Sequence, residues 1–147
     1  MWLVVAAALA LLWRRPAIFV AVIVSDAVAD LTATALKAAI PRVRPTLRYP
    51  EPRALVHVPG THSFPSGHAA TSFACATLLA WLAPRLAVPL LLLAAAVAFS
   101  RVYVGVHYPL DVIGGAALGT AVGGAAITAL RRRAAALQRS VRAPTEG

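Results

Sequence analysis

The sequence predicts an all-α protein, a polytopic bundle of transmembrane helices with four full spans and a short apolar segment at the N-terminus. Three observations support this fold class. The composition is 60% hydrophobic and only 13% charged, with a mean hydropathy of +0.76, values outside the usual range of soluble domains. Long apolar segments follow one another along the chain, with prolines at their ends. The polar residues are gathered in three short clusters.

Each predicted span reaches or approaches the ~20 apolar residues that a helix needs to cross the hydrocarbon core. Pro16 suits the first turn of the first span, and Pro41 ends it. Pro84 marks a tight connection, and Pro109 suits the first turn of the last span. The one long loop is 41–64. We expect spans at residues 16–40, 65–83, 86–104 and 108–130.

The two ends of the sequence differ from the spans. Residues 2–12 are apolar, but as a helix they would measure only about 17 Å, too short to cross without an upstream extension. No basic region precedes them and no small-residue cleavage site follows, so we interpret them as a membrane segment rather than a signal peptide. Residues 131–147 form a basic tail that we expect to fray. We treat 1–147 as one membrane-embedded domain.

The net charge of +9 is better explained by a membrane than by a nucleic acid, because the basic residues flank apolar runs and form no solvated stripe with interleaved aromatics. If the spans alternate, eight arginines share one face, and three remain on the other once those of the polar clusters are set aside. By the positive-inside rule the first face is cytoplasmic. We therefore predict a multi-pass plasma-membrane protein with a cytoplasmic tail and extracytoplasmic polar clusters. The cytoplasmic group is Arg14, Arg15, Arg85, Arg131, Arg132, Arg133, Arg139 and Arg142, and the other is Arg42, Arg48 and Arg53.

The last span carries Gly115, Gly119 and Gly123 at four-residue spacing. Small residues at this spacing let helices pack backbone to backbone in lipid, where apolar burial gives little driving force. We expect helix packing there, within the chain or in a homo-oligomer, unless the pattern only reflects how common glycine is in membrane helices. The single cysteine, Cys75, excludes an internal disulfide and is interpreted as a small buried apolar residue.

The first polar cluster is Lys37-x6-Arg44-Pro45. Lys37 lies near the end of the first span, and Arg44 follows beyond the proline that ends it. Fixed cations stabilise the negative charge that spreads over a transferring phosphoryl group. The alternative is that both side chains snorkel at the membrane surface.

The second cluster, Pro65-Ser66-Gly67-His68, stands where a loop becomes a helix. Ser66 can cap that helix, and the free N–H groups behind it favour an anion. Gly67 lets a ligand approach the backbone closely. His68 is then placed to protonate the leaving oxygen of a phosphate ester. A helix cap with a surface histidine is the alternative.

The third cluster is Ser100-Arg101-x5-His107-x3-Asp111. His107 and Asp111 are one helical turn apart, so the carboxylate can accept the imidazole Nδ1–H and leave Nε2 as a nucleophile. Arg101 can fork onto two phosphate oxygens. A structural hydrogen bond and an interfacial arginine are the alternative.

These clusters resemble the signature of the type 2 phosphatidic acid phosphatase superfamily, Lys-x6-Arg-Pro, Pro-Ser-Gly-His and Ser-Arg-x5-His-x3-Asp. Every fixed position is filled at the family spacing across residues 37–111. The resemblance implies that His107 is the nucleophile that forms a phosphohistidine, His68 the general acid and Asp111 the orienter of His107. It also implies a phosphate site made by Lys37, Arg44, Ser66, Gly67 and Arg101.

The resemblance also implies a lipid phosphate or diphosphate as substrate. A polyprenyl diphosphate such as undecaprenyl diphosphate is our first expectation, followed by phosphatidic acid, phosphatidylglycerol phosphate or a polyprenyl-linked phosphosugar. No cofactor is expected. A vanadate-dependent haloperoxidase has a related site, but membrane embedding and the lack of a large soluble scaffold count against it. A silent scaffold is disfavoured because every catalytic position is filled.

Four titratable residues lie outside the signature. His57 and His62 are interpreted as surface-loop residues. Asp26 and Asp30 fall within a span, where carboxylates are costly and usually paired. Asp30 either neutralises Lys37 or is solvated in a polar gap of the bundle, and both possibilities stay open. We predict no metal site, because no carboxylate cluster stands near the histidines.

Overall fold

The computed structural model describes residues 1–49 and 55–142, and within them the chain is helical and without strands. Arg53, counted above on the extracytoplasmic face, and residues 143–147 of the tail lie outside the described part. The helices are α1 (Trp2–Leu12), α2 (Pro16–Ala39), the short α3 (Pro45–Arg48), α4 (Gly67–Leu82), α5 (Ala87–Tyr103) and α6 (Pro109–Arg142), with a 3₁₀ turn at Pro84–Leu86 before α5.

Three helices of the described chain are long and apolar enough to cross a membrane: α2, α5 with its preceding turn, and α6. The predicted first and third spans are confirmed almost to the residue, because prolines mark where α2 and the turn before α5 begin. The predicted span 65–83 was too long. Ser66 caps the helix and Ala83 ends it, leaving 16 residues that measure about 24 Å, short of the ~30 Å hydrocarbon core.

The short helix α4 is the centre of the bundle. It packs against α2, α5 and α6, and half of its residues are buried. By contrast, α5 buries only Leu90, Ala94 and Ala98. Cys75 of α4 is fully buried, as predicted, and its thiol donates to Asp26 Oδ1 at 3.6 Å. The apolar side chains of α4 are therefore covered largely by neighbouring helices, and α4 forms the core of the bundle.

Glycines let α6 approach α4 closely. A Cβ at Gly115 would meet the Ser66 carbonyl, one at Gly119 the backbone of Ala70, and one at Gly123 the Ala74 carbonyl at 2.8 Å. We call these three glycines, where they face α4, the glycine seam. The predicted helix packing is confirmed, and within this chain the partner is α4.

The prediction that the tail frays after Leu130 was wrong over the described residues, since α6 continues through Arg142. Residues 131–142 are arginines, alanines, leucine, glutamine, serine and valine, with no glycine or proline to end the helix. At the other end of the chain, α1 packs mainly on α2. Its Trp2 Nε1 donates to the buried Ser72 Oγ of α4 at 3.0 Å.

Candidate active site

The three polar clusters meet at one end of the bundle, around a cavity of about 1100 Å³. That end holds the last turns of α2 and α5, the first turns of α4 and α6, and the loop that follows α2. The predicted residues on the cavity wall are Lys37, Arg44, Gly67, His68, Arg101 and His107. Ser66 and Asp111 are fully buried behind it. Alternation of the helices thus brings together residues separated by up to 74 positions, from Lys37 to Asp111.

Arg44 is only 2% exposed and is held on several sides. Its Nε donates to the Thr61 carbonyl at 2.9 Å, its Nη2 to Thr61 Oγ1 at 3.1 Å, and its Nη1 to the Val106 carbonyl at 2.9 Å. Pro45 begins α3 directly afterwards, which fixes the backbone at Arg44 as the cap of that helix. This guanidinium is therefore a fixed cation and does not snorkel.

His107 is brought to the cavity by a turn after α5. Gly105 has φ of +79°, a conformation that glycine adopts without strain. The Nε2 atom of His107 lies 3.3 Å from Arg44 Nη1. A guanidinium can only donate, so Nε2 is the acceptor and the neutral ring carries its proton on Nδ1. The lone pair needed for attack thus points to the cation that would hold the phosphate.

Burial lowers the pKa of His107 to about 4, helped by the Arg44 cation and opposed by Asp111. At neutral pH the imidazole is therefore uncharged. An uncharged ring is the form in which a histidine can act as a nucleophile.

The predicted hydrogen bond from His107 Nδ1 to Asp111 is not formed, because the two atoms lie 3.6 Å apart. Both carboxylate oxygens of Asp111 have other donors. Oδ2 accepts the backbone N–H of Tyr108 at 2.9 Å, as an acidic residue at the third position of a helix does in a capping box. Oδ1 accepts from Arg42 Nη1 at 2.8 Å. Asp111 still faces the ring, but as a neighbouring charge.

The second cluster is arranged as predicted. Ser66 Oγ accepts the Ala69 N–H at 3.4 Å and so caps α4. The Ser66 N–H donates to the Asp111 carbonyl at 2.9 Å, which joins the starts of α4 and α6. Lys37 Nζ donates to the Pro65 carbonyl at 2.7 Å, so it belongs to the site rather than to the membrane surface.

Gly67 keeps a narrow space open beside that lysine. A Cβ at this position would lie 3.5 Å from Lys37 Nζ and 3.7 Å from Asp30 Oδ1. Asp30 thus stands at the edge of the phosphate site, although no ion pair within 4 Å joins it to Lys37 among the described residues.

Some cavity residues were missed or misjudged from the sequence. His57 and His62 are exposed loop residues, as predicted, but they also line the cavity. Thr61 was not singled out, although both of its oxygens hold Arg44. Arg42 was counted only as a loop cation, and no spacing in the sequence connects it with Asp111. In the part of the chain that the structure describes, no three metal-ligating side chains come together.

The cavity lies between α2 and α5. Lys37 and Asp30 of α2 line it on one side and Arg101 of α5 on the other. Both helices pack on α4, but within the described residues no Cα atom of α2 comes within 8 Å of one of α5. The arrangement places cations, a neutral imidazole and a second histidine around a space that a phosphate ester can enter.

Comparisons with known proteins agree with this arrangement. The family model described as the PAP2 superfamily matches residues 16–135. The chain is 43% identical over 96 residues to decaprenylphosphoryl-5-phosphoribose phosphatase of Mycobacterium tuberculosis, covering 65% of this chain and 52% of that protein. It is 35% identical over 121 residues to undecaprenyl-diphosphatase of Sulfolobus acidocaldarius, covering 81% and 58% respectively.

Among solved structures, the chain is similar to a transmembrane PAP2 type phosphatidylglycerolphosphate phosphatase from Bacillus subtilis. The TM-score is 0.69 at 27% identity, covering 88% of this chain and 67% of that one. The chain spans about half the length of the curated relatives it matches. Its long apolar helices and this likeness make it a multi-pass membrane protein. Since the family model matches most of its length, the chain belongs to the PAP2 superfamily.

Proposed function

We propose that this protein hydrolyses a lipid phosphate or diphosphate through a phosphohistidine on His107, with no metal or other cofactor. The observation that carries the proposal is the position of His107 Nε2, 3.3 Å from the buried Arg44 guanidinium in a cavity that also contains Lys37, His68 and Arg101. Fixed cations around a nucleophile are what phosphoryl transfer requires, because the charge spreads over three equatorial oxygens.

In the first half of the reaction, Lys37, Arg44 and Arg101 hold the phosphate oxygens, and a phosphate oxygen replaces Nε2 as the acceptor of the Arg44 Nη1 N–H. The Nε2 lone pair forms a bond to phosphorus while the bond from phosphorus to the leaving oxygen breaks. His68 gives that oxygen a proton. Asp111, beside Nδ1, stabilises the positive charge that the ring acquires.

In the second half, a water takes the place of the leaving group. His68, now neutral, accepts a proton from the water as its oxygen bonds to phosphorus. The bond from phosphorus to Nε2 breaks, its electron pair returns to the ring, and inorganic phosphate leaves. The enzyme is then restored with a protonated His68 and a neutral His107.

The gap between α2 and α5 supports a lipid substrate. A head group can enter the cavity sideways through this gap while its tail stays between the lipids outside. The relatives named above act, by their names, on a decaprenyl-linked phosphoribose, undecaprenyl diphosphate and phosphatidylglycerolphosphate. A polyprenyl diphosphate remains our first candidate, and phosphatidic acid, phosphatidylglycerol phosphate and a polyprenyl-linked phosphosugar follow.

Release of inorganic phosphate from these lipids, by purified protein in detergent, tests the proposal. We expect release from at least one of them, inhibition by vanadate, which mimics the five-coordinate transition state, and unchanged turnover in excess chelator. A water-soluble phosphomonoester is the control that shows whether hydrolysis requires a lipid tail. No release from any lipid would contradict the proposal, and loss in chelator that magnesium restores would indicate a metal mechanism.

We further propose four spans in the plasma membrane, with α4 crossing together with the segment before it, the cavity outside and the tail in the cytoplasm. Leu55 and Leu137 are exposed at opposite ends and suit single cysteines in a Cys75→Ala background. In intact cells, an impermeant thiol reagent should label Leu55→Cys and not Leu137→Cys. The reverse pattern would place the site on the cytoplasmic face.

A further inference from the structure

Arg42 lies outside the three motifs, yet among the described residues it makes the one ion pair to Asp111 that has hydrogen-bond geometry. Its Nη1 lies 2.8 Å from Asp111 Oδ1, and the carboxylate is fully buried while the arginine side chain is 35% exposed. A buried carboxylate without a partner would be strongly disfavoured. Arg42 therefore supplies the partner that allows the Asp111 carboxylate to lie behind the cavity wall.

The position of Arg42 is fixed independently of this ion pair. Its guanidinium carbon lies 4.3 Å above the centre of the Tyr108 ring, a cation–π distance. Its carbonyl accepts the Ser63 N–H at 2.9 Å, which ties the two ends of the loop after α2 together. Tyr108 also donates its backbone N–H to Asp111 Oδ2. One oxygen of Asp111 is thus held by Arg42 and the other by Tyr108.

These two hydrogen bonds set the distance between the Asp111 carboxylate and His107. With both oxygens occupied, the carboxylate stays 3.6 Å from His107 Nδ1. Among the described residues Nδ1 has no partner at hydrogen-bond geometry, although the Ser63 backbone also acts on the ring. We propose that Arg42 is a positioning residue of the reaction, which by holding one oxygen of Asp111 limits how strongly that carboxylate acts on His107. This inference rests on the proposed function.

The charged groups around His107 come from every element that faces it. Arg44 lies at the start of α3, Lys37 on α2, His68 on α4, Arg101 on α5 and Asp111 on α6. Burial and the nearby cations lower the pKa of His107, whereas the Asp111 carboxylate and a hydrogen bond with the Ser63 backbone raise it. The pKa of His107 therefore depends on how close the Asp111 carboxylate lies to the ring.

Removal of Arg42 changes this pKa in one direction. A carboxylate freed from Arg42 can turn to the Nδ1–H of His107 and favour the imidazolium, so the pKa of His107 should rise from about 4. Because the neutral ring is the nucleophile, the rate falls as pH falls through this pKa. In Arg42→Ala that fall should begin at a higher pH.

The experiment compares Arg42→Ala and Arg42→Lys with the wild type. Arg48→Ala is the matched control, since Arg48 belongs to the same loop and is exposed, with the Tyr49 ring 5.8 Å from its guanidinium. We measure the pH dependence of kcat/KM, inhibition by vanadate, and carbethoxylation of His107 against pH by peptide mass spectrometry. The last measurement reports the neutral ring without any substrate.

We expect Arg42→Ala to move both the acid limb and the carbethoxylation midpoint upward by about 1 pH unit or more. Vanadate inhibition should change little, because Arg42 does not line the phosphate cavity. Arg42→Lys, which keeps the charge, should restore both midpoints, and Arg48→Ala should match the wild type. If Arg42→Ala does not fold, Arg42→Gln should give a smaller shift in the same direction.

Unchanged midpoints in the folded Arg42→Ala or Arg42→Gln protein would overturn the inference. So would a loss of kcat that leaves the midpoints in place and is not restored by lysine, because that pattern indicates a purely structural role. If the wild type released no phosphate from any lipid, the proposed function would fail, while carbethoxylation would still show whether Arg42 controls the charge of His107.

Discussion

The two ends of the contact between α4 and α6 are held together in different ways. At the cavity end, the Ser66 N–H donates to the Asp111 carbonyl at 2.9 Å, and each oxygen of the Asp111 carboxylate has a donor. Further along, the glycine seam lets α6 lie against the backbone and the small side chains of α4. The polar end thus orients side chains, whereas the seam sets the separation of the helices.

This difference predicts two kinds of mutant. A substitution at the polar end should change the chemistry and leave the bundle folded. A substitution in the seam should move α6 away from α4, and with it Asp111 away from Ser66. Apolar burial drives helix association only weakly in lipid, so close backbone packing carries much of the stability at the seam.

The largest effect is expected for Gly119→Leu. A Cβ at this position would already overlap the backbone of Ala70, so a whole leucine forces the helices apart and should destabilise the protein by at least about 3 kcal/mol. Thermal unfolding in detergent and phosphate release should both show the loss. Gly124→Leu is the control, because nothing lies within 4 Å of a Cβ at Gly124. Equal stability of the two variants would contradict the role of the seam.

Asp111→Asn tests the polar end with the fold intact. An amide keeps an oxygen for the Arg42 donor, but its NH2 group cannot accept the Tyr108 N–H, and the charge that stabilises the His107 cation is lost. The same replacement at the aspartate of a serine protease triad lowers kcat roughly 10⁴-fold, and we expect a decrease approaching that size in a folded protein with a lower melting temperature. A normal kcat in this variant would remove Asp111 from the mechanism.

The smallest effect is expected for alanine substitutions at Gly123 and at its neighbour Gly124. A Cβ at Gly123 would lie 2.8 Å from the Ala74 carbonyl and 2.8 Å from Thr77 Cβ, so Gly123→Ala should destabilise the protein by about 1–3 kcal/mol. Gly124→Ala has open space and should be neutral or stabilising by up to about 1 kcal/mol. Both should keep the wild-type kcat, because Gly123 lies about 18 Å along α6 from Asp111. A lowered kcat in Gly123→Ala alone would show that the seam also tunes the chemistry.

Much of this arrangement could be predicted from the sequence. Prolines mark the starts of α2 and α6 and of the turn before α5, and alternation of the spans brings the three motifs to one end. The length of α4 was overestimated, since an apolar run does not show whether Pro65 precedes a helix or lies in it. The helical tail was missed because its charge was taken as a sign of fraying, although its residues favour helix.

The contacts of Asp111 could not be predicted. His107 and Asp111 have the spacing of a hydrogen-bonded pair, but their distance depends on which donors compete for the carboxylate. Arg42 lies 69 positions before Asp111, and no local pattern connects the two. Only the packing of the loop after α2 over Tyr108 brings them together.

The central claim is that His107 is the nucleophile, and direct trapping tests it. Wild-type protein is incubated briefly with a ³²P-labelled lipid phosphate that it hydrolyses, denatured in base, and digested. The account predicts an acid-labile, base-stable phosphoryl group on the peptide that contains His107, and neither label nor turnover in a folded His107→Ala variant. Label on another residue, or near-normal phosphate release by His107→Ala, would contradict it.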